Sequence, residues 1–343
     1  MTTSYGQDYL AIPGPSVIPD EVLRSMHRAA PNIYEGELIE ITKSLIQDLN
    51  YVARSSGKVA MYIANGHGIW EAALSNMVSK GDHILVIATG RFAYGWAEIA
   101  KRMEIKIDIV DFGKNTALDV ETVSEKLLSE PKNKYKAILL TQVDTSTSVK
   151  NDIASLRKKL TEIECLSLLA VDCIASLACD RFEMDKWGVD IMVAACQKGL
   201  MVPPGMGFVF FNHRAEERQR ELKNVSLYWD WEPRVNPSRY YEYFCGTAPT
   251  HHIYGLRTAL DMIKSEEIEK TWKRHEILSQ AIWAAVDRWS FGSDISLYVK
   301  EPSERSHAVS CLRLGGNHGT KLRQWLQTKS GLTIGIGLGM SED

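Results

Sequence analysis

Along this chain, short continuous apolar runs alternate with segments in which apolar residues recur every three or four positions. The first pattern predicts strands buried on both faces, and the second predicts amphipathic helices. Strands are expected at 59–64, 83–88, 105–111, 136–141, 166–171, 189–195 and 207–211, with helices at 94–103, 119–128 and 151–160 between them. From Asp20 to about Ser55 the pattern is helical, with Val22, Leu23 and Met26 on one face and Asp20 as the expected N-cap. Residues 1–19 fit neither pattern. Pro13-Gly14-Pro15 and Pro19 forbid a helix there and predict an extended arm. Its apolar Leu10, Ile12, Val17 and Ile18 favour burial, for instance against a partner subunit.

Residues 212–250 lose the regularity and are rich in Trp, Tyr, Arg and Pro, the mark of a functional or interface segment. Helical spacing returns at 254–262 and runs on to about 287, followed by a strand at 308–314, a helix at 319–329 and a strand at 332–336. The expected organisation is an arm (1–19), a large domain (20–264) and a small C-terminal domain (265–343). Alternating strands and helices predict an α/β sheet with right-handed crossovers.

The predicted strand ends carry the chemistry. Gly66-His67-Gly68 joins a strand to a helix, where glycines and free amides favour a phosphate, or form one of the many strand-to-helix turns with two glycines that bind nothing. Phe92 follows the next strand, placed to lie on a flat group or to cap the core. Thr145 belongs to a hydroxyl-rich turn that offers hydrogen-bond donors or simply makes a turn. Asp172 ends a strongly apolar strand, and a carboxylate there needs a partner: a protonated ring nitrogen, or the amides of a helix it caps, or a structural salt bridge. Gln197-Lys198 ends the strand at 189–195, and Pro203-Pro204-Gly205 stops any helix beyond it. A lysine here is either an ordinary surface residue after a strand or, leaving the apolar interior, open to desolvation, which lowers its pKa and makes the amine nucleophilic. Phosphate cradle, ring stacker, hydroxyl, carboxylate and amine together suit pyridoxal 5′-phosphate.

Composition narrows the alternatives. With 45% hydrophobic and 24% charged residues, the chain reads as an ordinary globular protein. A net charge of -3 offers no nucleic-acid footprint, and no apolar run approaches the ~20 residues of a membrane span. No secretory signal is evident. Six scattered cysteines without paired C-x-x-C spacing predict small buried hydrophobes in a reducing cytoplasm, with no metal site expected. The glycine loop lacks the full dinucleotide fingerprint, and no acidic ribose residue stands at the required spacing, which disfavours a nicotinamide dehydrogenase.

The arm IPGPSVIP, the block SLLAVDCIASLACD and the block VDIMVAACQKGLMVPPG carry a family resemblance. Through them the chain resembles the class V, fold-type I aminotransferases of the alanine–glyoxylate and serine–glyoxylate type, over nearly its whole length. The resemblance implies a mainly parallel seven-stranded sheet flanked by helices, a smaller α+β C-terminal domain, and a homodimer with shared active sites. It implies that Lys198 forms the internal aldimine with pyridoxal 5′-phosphate and then moves the substrate proton, while Asp172 keeps the ring nitrogen protonated. Phe92 takes the stacking position, Gly66, His67, Gly68 and Gln197 the phosphate positions, and Thr145 the position near the ring hydroxyl. Thr247 matches a residue that reaches the phosphate of the other subunit's cofactor, and Gly14 lies in the segment lining the substrate pocket.

The implied reaction is ping-pong transfer of nitrogen from serine, alanine or aspartate to glyoxylate or pyruvate. A lyase or desulfurase, an amine transaminase, and a cofactor-binding protein without turnover remain alternatives. A desulfurase needs a mobile nucleophilic cysteine, whereas Cys311 falls in a predicted apolar strand. Three departures stand out. Phe244 replaces a tyrosine (Tyr243 is adjacent), and Thr147-Ser148 replaces Thr-Gly. The sequence also ends at Asp343, before the family's R-I-G-x-x-G segment, whose arginine pairs with the substrate carboxylate. The small domain is therefore expected to be shortened and the carboxylate to need another cation. Arg313 has the pattern of an ordinary surface residue.

Overall fold

The structure is a computed structural model that describes residues 8–316 and 318–339. Residues 1–7 of the predicted arm, Asn317 and residues 340–343 of the predicted small domain lie outside the described residues. Seven strands form the central sheet: β1 (Lys58–Ala64), β2 (His83–Ala88), β3 (Lys106–Asp111), β4 (Tyr135–Thr141), β5 (Leu168–Asp172), β6 (Ile191–Ala195) and β7 (Gly205–Phe211). Their spatial order is β1-β7-β6-β5-β4-β2-β3. Only β7 runs antiparallel to its neighbours, β1 and β6. The six remaining strands therefore point their C-terminal ends at one edge.

Burial explains the runs of sequence. β5 and β6 are buried at every position, so both faces select apolar side chains. At the sheet edge, β3 is partly to fully exposed and alternates polar and apolar residues. One core cluster, containing Leu45, Leu156 and Leu256, packs helices Glu37–Ala53, Ile153–Glu162 and Thr250–Glu266 on one face. The other, containing Trp70 and Trp96, packs helices Gly66–Met77 and Arg91–Arg102 on the opposite face. The layers are helix, sheet, helix, as a mainly parallel sheet requires.

The structure corrects several sequence expectations. The helical stretch from Asp20 is two helices, Asp20–Met26 and Glu37–Ala53, with Pro31 and a left-handed Gly36 between them. Pro19, not Asp20, occupies the N-cap position, and Asp20 supplies charge to the first turn. The helix expected to run on to about 287 breaks at Glu267 (φ 70°), giving Thr250–Glu266 and Ile268–Trp289. The strand expected at 308–314 is only Leu312–Arg313, paired with Ser296–Leu297. Buried Asp180 accepts the amides of His307 and Ala308, which removes them from any ladder. Part of the arm, Tyr9–Ala11, pairs in parallel with Leu332–Ile334. Leu10 and Val17 remain 43% and 60% exposed, so burial within this chain does not claim them.

Region 212–250 is organised around Arg234, only 1% exposed. Its guanidinium donates to the carbonyls of Met61, Tyr243 and Tyr228 and lies over the Tyr62 ring. The six cysteines are free thiols. Among the described residues no helix is long and apolar enough to cross a membrane, and no acidic, His and Cys cluster could hold a metal.

Candidate active site

The C-terminal ends of β1, β2, β4, β5 and β6 border one cavity of about 320 Å3. Lys198 leaves β6 through Cys196 and Gln197 and projects into it. Its Nζ donates to the Pro13 carbonyl, and burial holds its pKa below the ordinary lysine value, with Asp172 opposing that shift. Ser16 fixes the arm over this loop, donating its amide to the Gln197 carbonyl (2.9 Å) and its hydroxyl to that of Lys198 (2.8 Å). Gly14 is a glycine for two reasons. Its φ is 115°, and an added Cβ would collide with the Lys198 side chain.

Asp172 closes β5 and is buried. Its Oδ1 accepts the Ile174 amide (2.6 Å) and its Oδ2 accepts the Trp70 indole N–H (2.9 Å). Burial nevertheless pushes its pKa up to about 7, with a further upward contribution from Asp144. Among the described residues no cation forms an ion pair with this carboxylate, Lys198 acts on it only weakly, and the two hydrogen bonds do not replace a paired charge. A protonated ring nitrogen meets that need.

At the end of β1, Asn65 caps helix Gly66–Met77 by accepting the Gly68 amide (3.3 Å). The first-turn amides of Gly66 and His67 have no acceptor within the helix, an arrangement that suits a phosphate. Phe92, after β2, lines the cavity and meets Trp70 edge-on, with centroids 6.2 Å apart. Thr145 and Gln197 complete the wall. The ring nitrogen, aldehyde and phosphate of pyridoxal phosphate would each find a group of matching chemistry among these residues, and the volume suits a small cofactor.

Gly14, Gly66, His67, Phe92, Thr145, Asp172, Gln197 and Lys198 therefore come together. Gly68 stands behind the lining with its amide engaged by Asn65. Thr247 is exposed and lines no part of this cavity. Sequence reasoning missed Asn65, Trp70 and Asp144. Asn65 was findable as a cap residue directly before the glycines. Trp70 was findable four positions after Gly66, on the face that its spacing turns inward.

The departures also have positions. Phe244 is buried in the core, and Tyr243 packs beside it away from the cavity. Ser148 adopts φ 62°, the conformation a glycine takes freely. Its Oγ accepts the Cys311 amide (3.2 Å) and its carbonyl accepts the Ser306 amide (3.0 Å). Arg313 is exposed and lines neither this cavity nor the second one, of about 820 Å3, that shares Thr145. Burial pushes the Cys311 thiol up to about 11, the opposite of an activated nucleophile.

The sequence matches the class-V aminotransferase family profile over residues 9–341. A serine–glyoxylate aminotransferase from Methylorubrum extorquens is 31% identical, covering 97% of this chain and 83% of the relative. An L-aspartate–glyoxylate aminotransferase from Paracoccus denitrificans is 28% identical over 90% of this chain and 77% of its own. Among solved structures, an alanine–glyoxylate aminotransferase from Nostoc sp. superposes with a TM-score of 0.88 at 22% identity, covering 99% of this chain and 89% of that one.

Proposed function

The chain belongs to the class-V aminotransferase family and is a pyridoxal-phosphate-dependent aminotransferase, and on that premise we propose that it moves nitrogen from serine, alanine or aspartate to glyoxylate or pyruvate by a ping-pong route. The observation that carries the reading is the meeting of Lys198, the buried Asp172 carboxyl group and the Gly66-His67 turn in one cavity. The donor and acceptor classes follow the relatives, which are named for serine, aspartate and glyoxylate.

Bound pyridoxal phosphate supplies an electron sink through which an amino group and a carbonyl oxygen are exchanged. Lys198 Nζ is the proposed covalent anchor, since burial enlarges its neutral, nucleophilic fraction. Once released, the same atom holds and returns the substrate's proton. Asp172 keeps the ring nitrogen charged, with Trp70 and Ile174 fixing its oxygens. Gly66, His67 and Gln197 hold the phosphate, Gly68 supports their turn, Phe92 covers one ring face, and Thr145 serves the ring hydroxyl. Gly14 shapes the substrate side. The proposal includes a homodimer in which Thr247 serves the partner's site, and the division into arm, large domain 20–264 and small domain 265–343. The raised thiol of Cys311 argues against sulfur transfer.

Visible absorption tests this. The protein with cofactor should be yellow, lose that colour on addition of one of the three amino acids, and regain it on addition of glyoxylate or pyruvate. A protein that takes up no cofactor overturns the site. A yellow protein that none of the three bleaches overturns the donor class.

A further inference from the structure

Helix Arg91–Arg102 carries Phe92 into the cavity but has no cap of its own, because its N-cap residue is Gly90. The cap comes from another strand. The Phe92 amide donates to Asp144 Oδ2 (2.8 Å), and the Arg91 amide donates to Ser146 Oγ (3.1 Å). Both acceptors lie in the turn after β4. Asp144 Oδ1 in turn accepts the Ser146 amide (3.0 Å) and hydroxyl (2.5 Å). Donors thus face both oxygens, which suits a carboxylate and leaves a carbonyl-plus-amide group one acceptor short. Asp144 is fully buried, and nothing in surface solvation explains its position. Gly90 is extended, so its glycine is needed for space: an added Cβ would collide with the Asp144 carboxyl group.

We infer that Asp144 is a positioning residue that seats the Phe92 ring against the cofactor, by capping from β4 the helix that begins after β2. The inference rests on the proposed cofactor site. Asp144 touches no reacting atom. Its positioning effect passes through Phe92 and is lost when that ring is removed, whereas its charge also bears on Asp172, a contribution that a variant retaining every ionisable group leaves in place.

The test is a double-mutant cycle read as the dissociation constant of pyridoxal phosphate, with visible circular dichroism of the bound cofactor as a second readout. D144N and F92L are each expected to weaken cofactor binding about tenfold, and the double variant about tenfold rather than a hundredfold. D144N should also change the dichroism of the bound cofactor, which general destabilisation would not. G90A gives a second displacement with every ionisable group retained. It should show the same non-additivity with F92L, and it decides the matter if D144N does not fold. Wild-type affinity in D144N and G90A, or effects additive with F92L, would overturn the assignment while the cofactor site stands. A wild-type protein that binds no cofactor would overturn both.

Discussion

Asp172 ties the cofactor site to stability through a sign that can be checked. Its native pKa, about 7, lies above the ordinary carboxylate range. Between about pH 4 and pH 7 the cofactor-free native state keeps a proton that the unfolded chain releases. Native stability contributed by this group is thus present at low pH and is lost as pH rises through 7. D172N lacks that slope. Urea unfolding of the cofactor-free proteins should show the variant gaining on wild type across this window, by up to about 4 kcal/mol above it. A difference independent of pH would refute the burial argument. Trp70 acts on the same carboxylate. W70F removes the indole donor to Oδ2 together with part of a buried ring that stacks on Trp96, so the pH profile and not the size of the loss isolates the hydrogen bond; such a bond to a charged group contributes about 1.5–3 kcal/mol. The expected result is a fall in kcat of at least about tenfold, with the acid limb of the kcat–pH profile moved upward. An unmoved limb would show that the indole only packs.

At the scale of elements, the strands were legible because the sheet is covered on both faces. Every position of β5 and β6 is buried, and continuous apolar runs are the direct consequence. Their ends were legible for the same reason: a polar residue at the limit of such a run stands out, as Asp172 and Lys198 do. What the sequence concealed depends on distant partners. The break at Glu267 interrupts an unbroken helical pattern, and the shortened strand at Leu312–Arg313 reflects Asp180, more than a hundred residues earlier. The capping of Phe92 by Asp144 spans two strands and leaves no local trace. Ser148 shows a local rule broken at a junction. Its left-handed backbone costs roughly 1 kcal/mol relative to glycine, and its Oγ bond to the Cys311 amide returns a similar amount. S148A should therefore lower the unfolding free energy by about 1 kcal/mol, while S148G should leave it nearly unchanged. Equal effects of the two would show that the Oγ bond contributes nothing.

At the scale of the whole molecule, the position of Thr247 bears on assembly. It is exposed and stands off the cavity that its resemblance connects with phosphate binding. Tyr9, Val17, Tyr34, Leu227 and Tyr241 are also exposed, in the arm, the loop before Glu37–Ala53 and the region 212–250. A second copy would cover such residues at a gain of about 25 cal/mol per Å2 of apolar surface. In a homodimer with shared sites, each cavity takes Lys198 from its own chain and Thr247 from the other. Mixed dimers separate this from a local role. K198A alone should be inactive, and T247A alone should bind cofactor roughly tenfold more weakly, as expected for loss of one phosphate hydroxyl. In a dimer of one K198A and one T247A chain, one cavity carries both changes and the other carries neither. The mixed dimers in a co-refolded preparation should therefore regain wild-type cofactor affinity and turnover at one of their two sites. If Thr247 served its own chain, the only site with a lysine would lack the hydroxyl, and the mixture would keep the weak affinity of T247A.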